Sequence, residues 1–130
     1  MSLNFDDITI YTLLLKVCSR YKVDPSSSLE AEDYFRNLLA TYDGTFEEES
    51  QFMNWLDKIV SGNFIALNKR QQWIQNSEWP FEDGEPMIFV GQIDISRNSG
   101  LASEFFHDDT TFYVFIPHSK GKPRVIMQQF

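Results

Sequence analysis

Cysteine is nearly absent: one residue, Cys18, in 130. No intramolecular disulfide is therefore possible, nothing demands an oxidising compartment, and a Cys-rich metal site is excluded. Basic residues are also scarce, 11 Lys+Arg against 19 Asp+Glu for a net charge of -8. A phosphate-backbone binder needs clustered Lys and Arg on one face, so nucleic acid is not expected as a partner, nor is an anionic membrane surface. Long apolar runs are missing as well. Leu13-Leu14-Leu15 is far too short to cross a bilayer, and Met1 to Asp7 places two acids where a secretory signal would carry bases. The expected location is cytoplasmic. Glycine, at six residues, is scattered over helix ends and turns, which leaves no Gly-rich phosphate cradle.

Aromatic residues, by contrast, are plentiful at 15%, with 12 Phe, and the apolar content is 42%. A chain of this size buries roughly two-thirds of its unfolded surface, so one domain spanning 1-130 can hold a core without staples. Its order is expected to be helices over 1-62 and a sheet over 79-130.

Ile10, Leu13, Leu14, Val17, Cys18 and Tyr21 recur at helical spacing, predicting a first helix that ends before Asp24-Pro25. Ser27-Ser28-Leu29-Glu30 matches a capping box with Ser27 as N-cap, opening a second helix. Its apolar stripe is Leu29, Tyr34 or Phe35, Leu38, Leu39 and Tyr42, with a stop at Asp43-Gly44. Thr45-Phe46-Glu47-Glu48 reads as another capping box, before a third helix that turns Phe52, Trp55, Leu56, Ile59 and Val60 inward and ends at Gly62. Phe64 to Trp73 fits a strand, a short helix, or both.

From Trp79 the residues are turn formers, followed by an alternating run from Met87 to Ile95. There Met87, Phe89, Gly91, Ile93 and Ile95 are expected on one face, with Gln92 and Asp94 on the other, and Gly91 signals a bulge or a close backbone approach. Thr110 to Ile116 is apolar on both faces, as a central strand is, and Arg124 to Phe130 returns after a connection over 117-123. Helices first and an antiparallel sheet after them make the fold class α+β.

The segment Trp79-Pro80, Gly84-Glu85-Pro86-Met87, Ile88-Phe89-Val90-Gly91-Gln92-Ile93-Asp94-Ile95, Gly100-Leu101 and Phe105-Phe106 resembles the YwqG-like family of bacterial proteins. The resemblance covers residues 79-106. It implies a shared sheet module and a place near bacterial toxin systems as a protective protein.

No catalytic set accompanies it. Cys18 falls on the apolar stripe of its helix, where a buried, inert thiol is expected. Ser103, Glu104 and His107 lack a nucleophile elbow. His107, Asp108, Asp109 and His118 could be drawn together as metal ligands, but without ligand spacing they read as a polar turn, so no metal or cofactor is expected. The acids remain. Glu30, Glu32 and Asp33, then Glu47, Glu48 and Glu49, then Glu82, Asp83 and Glu85 form clusters with few bases nearby.

Such clusters suit electrostatic docking of a basic protein, a toxin domain for instance. The expected function is a non-enzymatic, immunity-type inhibitor in which Glu47, Glu48, Glu49, Glu82, Asp83 and Glu85 steer and Trp79 or Phe81 anchors. The alternative is a small enzyme or ligand-binding domain with its pocket between helices and sheet, lined by Phe89, Phe112 and Phe115 with Gln92, Asp94 or His107.

Overall fold

A computed structural model describes residues 8-44, 48-96 and 109-130. Among the described residues three helices, α1 (Ile8–Arg20), α2 (Leu29–Leu39) and α3 (Glu49–Asn63), precede five strands: β1 (Phe81–Glu82), β2 (Glu85–Pro86), β3 (Ile88–Ile95), β4 (Thr110–Ile116) and β5 (Arg124–Gln129). The fold is α+β. Strands β1 and β2 form a small hairpin, and β3-β4-β5 form an antiparallel sheet with β4 central.

Helix α1 ends at Arg20, ahead of Pro25. Lys22 takes the left-handed conformation at φ 62°. Two bonds close the end, from Val23 N–H to Cys18 C=O (3.1 Å) and from Lys22 N–H to Ser19 C=O (3.3 Å). This is a Schellman arrangement, with the apolar pair Val23 and Cys18 both buried. The next helix starts one residue later than its capping box suggests. Ser27 N–H is already bonded to Asp24 C=O in a turn, so Ser28 becomes the N-cap and accepts from Ala31 N–H at 3.0 Å.

Helix α2 buries Ala31, Phe35 and Leu39 and leaves Leu29, expected on the stripe, 78% exposed. It stops at Leu39 rather than at Asp43-Gly44, because Thr41 and Tyr42 N–H turn back to Leu38 and Leu39 C=O and tighten the last turn. Helix α3 begins at Glu49 with Glu48 as a cap that makes no side-chain bond, and it runs through Gly62 to Asn63. Thr45 and Glu47 of the expected capping box lie outside the described residues.

Helix α1 packs on α3, and Asp57 fastens them: it accepts from the Tyr21 hydroxyl (2.7 Å) and from Arg20 Nη1 (3.0 Å). Tyr21's hydrogen bond, aided by Arg20 and opposed by partial burial, holds the Asp57 carboxyl below its ordinary value. A depressed carboxylate adds stability above its unfolded value of about 4, which is lost as pH falls through the folded one. Asp57→Asn is therefore expected to lower the urea midpoint at neutral pH, and the difference from the wild type is expected to shrink only as pH falls below the ordinary carboxylate range and through the depressed folded value.

Between helices and sheet lies a relay of rings. Phe35 stacks on Phe64 (centroids 5.5 Å, 7°), Phe64 meets Trp79 edge-on (5.2 Å), Trp79 meets Phe115 (5.4 Å), and Phe115 meets Phe89 (5.3 Å). These five are at most 2% exposed. Trp79 also donates from Nε1 to Met87 C=O at 2.8 Å.

The stretch from Phe64 to Glu78 is neither a helix nor a regular strand. It opens with one parallel bridge, Ala66 to Phe89, then runs as a strap over the inner sheet face. Its ties are side chains: Trp73 Nε1 and Ser77 Oγ donate to Lys22 C=O, Gln72 N–H donates to Gln92 Oε1 (2.8 Å), and Tyr113 Oη bridges Gln72 C=O and Ile74 N–H. Gln71 is fully buried, and its amide has no partner among the described residues.

Gly91 does sit at a bulge. Phe89 opposes Phe115 and Gly91 opposes Val114, so Val90 is the extra residue. The inserted residue reverses the alternation beyond it. Gln92 and Asp94 face Tyr113 and Thr111 on the inner side, and Ile93 turns outward at 57% exposure, the opposite of what unbroken period two predicts.

Candidate functional site

Helix α2 presents Glu30, Asp33, Tyr34, Asn37 and Leu38 along one side, at spacings of three and four, and Thr41 follows in the turn past its end. Facing them is the tip of the β1-β2 hairpin. Asp83 (φ 51°) and Gly84 (φ 78°) are both left-handed there, which is the two-residue primed turn that Asp-Gly favours. This turn delivers Glu85 to the opposite wall of a groove of about 420 Å³. Three carboxylates from two distant parts of the chain thus surround one concavity floored by Tyr34 and Leu38.

Tyr34 is fixed by its ring, which packs edge-on against Phe35 (5.1 Å) and Phe64 (5.4 Å) and tilted against Phe81 (5.6 Å). Burial, then the charge of Glu85 and then Cys18, push its phenol up to about 12. The hydroxyl stays protonated at physiological pH. Arg36 approaches Asp33 at 3.6 Å, an exposed i,i+3 pair that screening leaves weak. The groove keeps an anionic potential over a part-aromatic floor, a chemistry that accepts a guanidinium or ammonium group by charge and by its ring face.

The expected site residues divide. Glu85 lines this groove, and Asp83 stands exposed at the same turn. Glu82 is committed elsewhere: it accepts from Arg124 Nη2 at 2.9 Å while Arg124 Nη1 reaches Phe81 C=O at 3.2 Å, tying the hairpin to β5. Glu48 and Glu49 are exposed at the start of α3 and do not line the groove; Glu47 lies outside the described residues. Trp79 and Phe81, read as anchors, are each 2% exposed and belong to the core, which removes them from any docking surface. Their place beside a Pro and a turn looks superficial in sequence, but the relay of rings draws them inward. Tyr34, Leu38, Asn37 and Thr41 were not expected at a site. The acids Glu30 and Asp33 signalled α2, but only the fold brings that helix to the hairpin.

Among the described residues Phe89, Phe112 and Phe115 do not line a common pocket. The first and last are in ring contact inside the core, and Phe112 points to the opposite sheet face. Two other concavities, of about 300 and 510 Å³, share Gln72, Gln92 and Asp94 at the open side of β3. Their polar atoms are already paired: Asp94 Oδ1 accepts from Gln92 Nε2 (3.0 Å) and Thr111 Oγ1 (2.7 Å), and Gln92 Oε1 accepts from Gln72 N–H of the strap. Cys18 is buried, and burial raises its thiol far from a reactive thiolate. Among the described residues no group of three His, Cys, Asp or Glu side chains could hold a metal ion. Asp109 and His118 flank opposite ends of β4, whose seven residues span on the order of 20 Å at strand rise. His107 and Asp108 lie outside the described residues. No described helix is long and apolar enough to cross a membrane.

No protein-family model matches the chain, and no solved structure matches it. Among curated proteins it is similar to a probable cytoplasmic isoleucine–tRNA ligase of Dictyostelium discoideum, 31% identical over 109 residues. The similarity takes in 78% of this chain and 10% of that protein, so the chain spans about a tenth of the length of the relative it matches.

Proposed function

We propose that this protein is a non-enzymatic acidic binding module that docks a basic protein in the cytoplasm through the groove between α2 and the β1-β2 hairpin. The observation carrying this reading is the convergence of Glu30, Asp33 and Glu85 on a Tyr34-Leu38 floor. An Arg or Lys side chain of the partner enters the groove, its alkyl stem over Leu38 and its charge between the carboxylates and the ring. The net charge of -8 steers the approach. In its most specific form the partner is a toxin domain with a cationic cleft, which the module occludes as an immunity protein does; the resemblance to YwqG-like proteins supports that form.

The similarity to part of a tRNA ligase supports a second setting. A segment amounting to a tenth of that enzyme fits an accessory module more readily than a catalytic unit, and an acidic module would contact protein rather than RNA there.

Both settings are tested with an arginine-rich peptide as the probe. Reversing Glu30, Asp33 and Glu85 to Lys together is expected to slow association at least tenfold at low salt and to flatten its salt dependence. The same reversal at Glu48 and Glu49 is expected to change the rate far less. Equal effects from the triple and the double variant would reduce the groove to one acidic patch among several.

A further inference from the structure

Because the bulge at Val90 turns Ile93 outward, the outer face of the β3-β4-β5 sheet is composed of two unlike rows. One cross-strand row is Ile93–Phe112–Met127; the next is Gly91–Val114–Val125. The first row is a ridge of large side chains and the second a trough of small ones, with a glycine at the end whose Cβ position meets nothing within 4 Å. Ile93, Val125 and Met127 are 57%, 54% and 51% exposed. Among the described residues this face bears no charged side chain, in a chain of net charge -8. The described acids stand on the helices and their connecting loops, the strap, the hairpin and the inner-face side of the sheet.

We propose that this face is a homodimer interface, packed face to face against the same face of a second copy. A ridge beside a parallel trough is its own complement. A two-fold axis lying between the rows, in the plane of the interface, seats the ridge of each copy in the trough of the other. The two rows are roughly 7 Å apart along the strands, so the required shift is one side-chain step. Charge favours the same occupant. A basic partner finds no carboxylate here, whereas two neutral faces can meet with each copy's acidic helical layer turned away. A sheet layer of roughly 10 Å on each side then separates those acids by more than two screening lengths at physiological salt.

Area fits a reversible dimer. The half-exposed and partly exposed residues of this face offer on the order of 500 Å² per copy, roughly half of what a specific interface buries in total. Two copies reach about 1,000 Å², the lower bound for a specific interface. The dimer leaves the α2-hairpin groove open, so it is independent of the function proposed for that groove.

Sedimentation equilibrium of the full chain, over a series reaching several hundred micromolar, reads the proposal directly. The wild type is expected to pass from 15.2 kDa to twice that mass. Met127→Lys is expected to weaken the dimer at least tenfold while circular dichroism and the thermal midpoint stay near those of the wild type. Gly91→Leu separates seating from stickiness: it adds apolar surface yet fills the trough, and it too is expected to weaken the dimer. A wild type that stays monomeric throughout, a dimer indifferent to Met127→Lys, or a Gly91→Leu variant that associates as well as or better than the wild type would each overturn it.

Discussion

Replacing Trp79 by alanine is expected to destabilise the protein by about 3–5 kcal/mol, the range for deleting a large aromatic side chain from a closed core. The ring is 2% exposed, touches both Phe64 and Phe115, and so joins the helical layer to the sheet. Its removal opens a cavity at the junction, and it also orphans the buried Met87 carbonyl that Nε1 satisfies. Neighbouring side chains cannot collapse into the gap, because Phe64 is already held by Phe35 and Phe115 by Phe89. Total stability for a domain of this size is on the order of 5–15 kcal/mol, so the loss is a large share of it. Thermal denaturation is expected to show a midpoint lower by roughly 10 °C or more. Trp79→Phe keeps ring contact but loses the donor, and an intermediate fall is expected. A Trp79→Ala protein with an unchanged midpoint would mean that the ring is a surface feature after all.

The second large effect is expected at Gln128, where a single side chain holds four groups of the strap. Its Oε1 accepts from Ile74 N–H (3.1 Å) and Gln75 N–H (3.0 Å), and its Nε2 donates to Asn76 C=O (2.8 Å) and Glu78 Oε2 (2.8 Å). The residue is 2% exposed and points inward from β5, beside Tyr113, which holds Ile74 N–H from the next strand. Gln128→Leu preserves volume and removes all four bonds. At about 1–3 kcal/mol for a buried group left unpaired, the sum would be large. Residues 75, 76 and 78 are exposed, however, and water replaces part of what is lost, so about 2–4 kcal/mol is expected. The loss should be local before it is global. Native-state hydrogen exchange is expected to accelerate at Ile74 and Gln75 by more than tenfold while amides of α1 and β4 change only with overall stability. Uniform acceleration across the molecule would indicate that the strap is not a separate unit.

Much of this architecture was legible from the residues alone, because periodicity is a local property. The stripe Ile10, Leu13, Leu14, Val17 and Cys18 is the buried face of α1 as read, and β4 is the central strand its two apolar faces implied. Gly91 was rightly a bulge signal. Its consequence is not carried by the alternation itself: one extra residue reverses every face beyond it, so unbroken period two places Gln92, Asp94 and Ile93 on the wrong side.

The strap from Phe64 to Glu78 was illegible for a different reason. Its conformation is held by partners such as Lys22, Gln92, Tyr113 and Gln128, far away in sequence, and not by any repeat of its own. The groove shows the same limit. Both of its acidic walls are plain in the sequence, but nothing local says that α2 and the hairpin meet. Trp79 and Phe81 were misplaced because an aromatic beside turn residues looks exposed until the tertiary core claims it.

Residue-resolved titration of the isotope-labelled protein with an arginine-rich peptide, followed by amide chemical shifts, most directly tests the central claim of an acidic docking groove. Shifts concentrated at Tyr34, Asn37, Leu38, Gly84 and Glu85, saturating together and receding as salt is added, are the predicted result. Shifts spread evenly over every exposed acid, Glu48 and Glu49 included, or no saturable response at low salt, would contradict it.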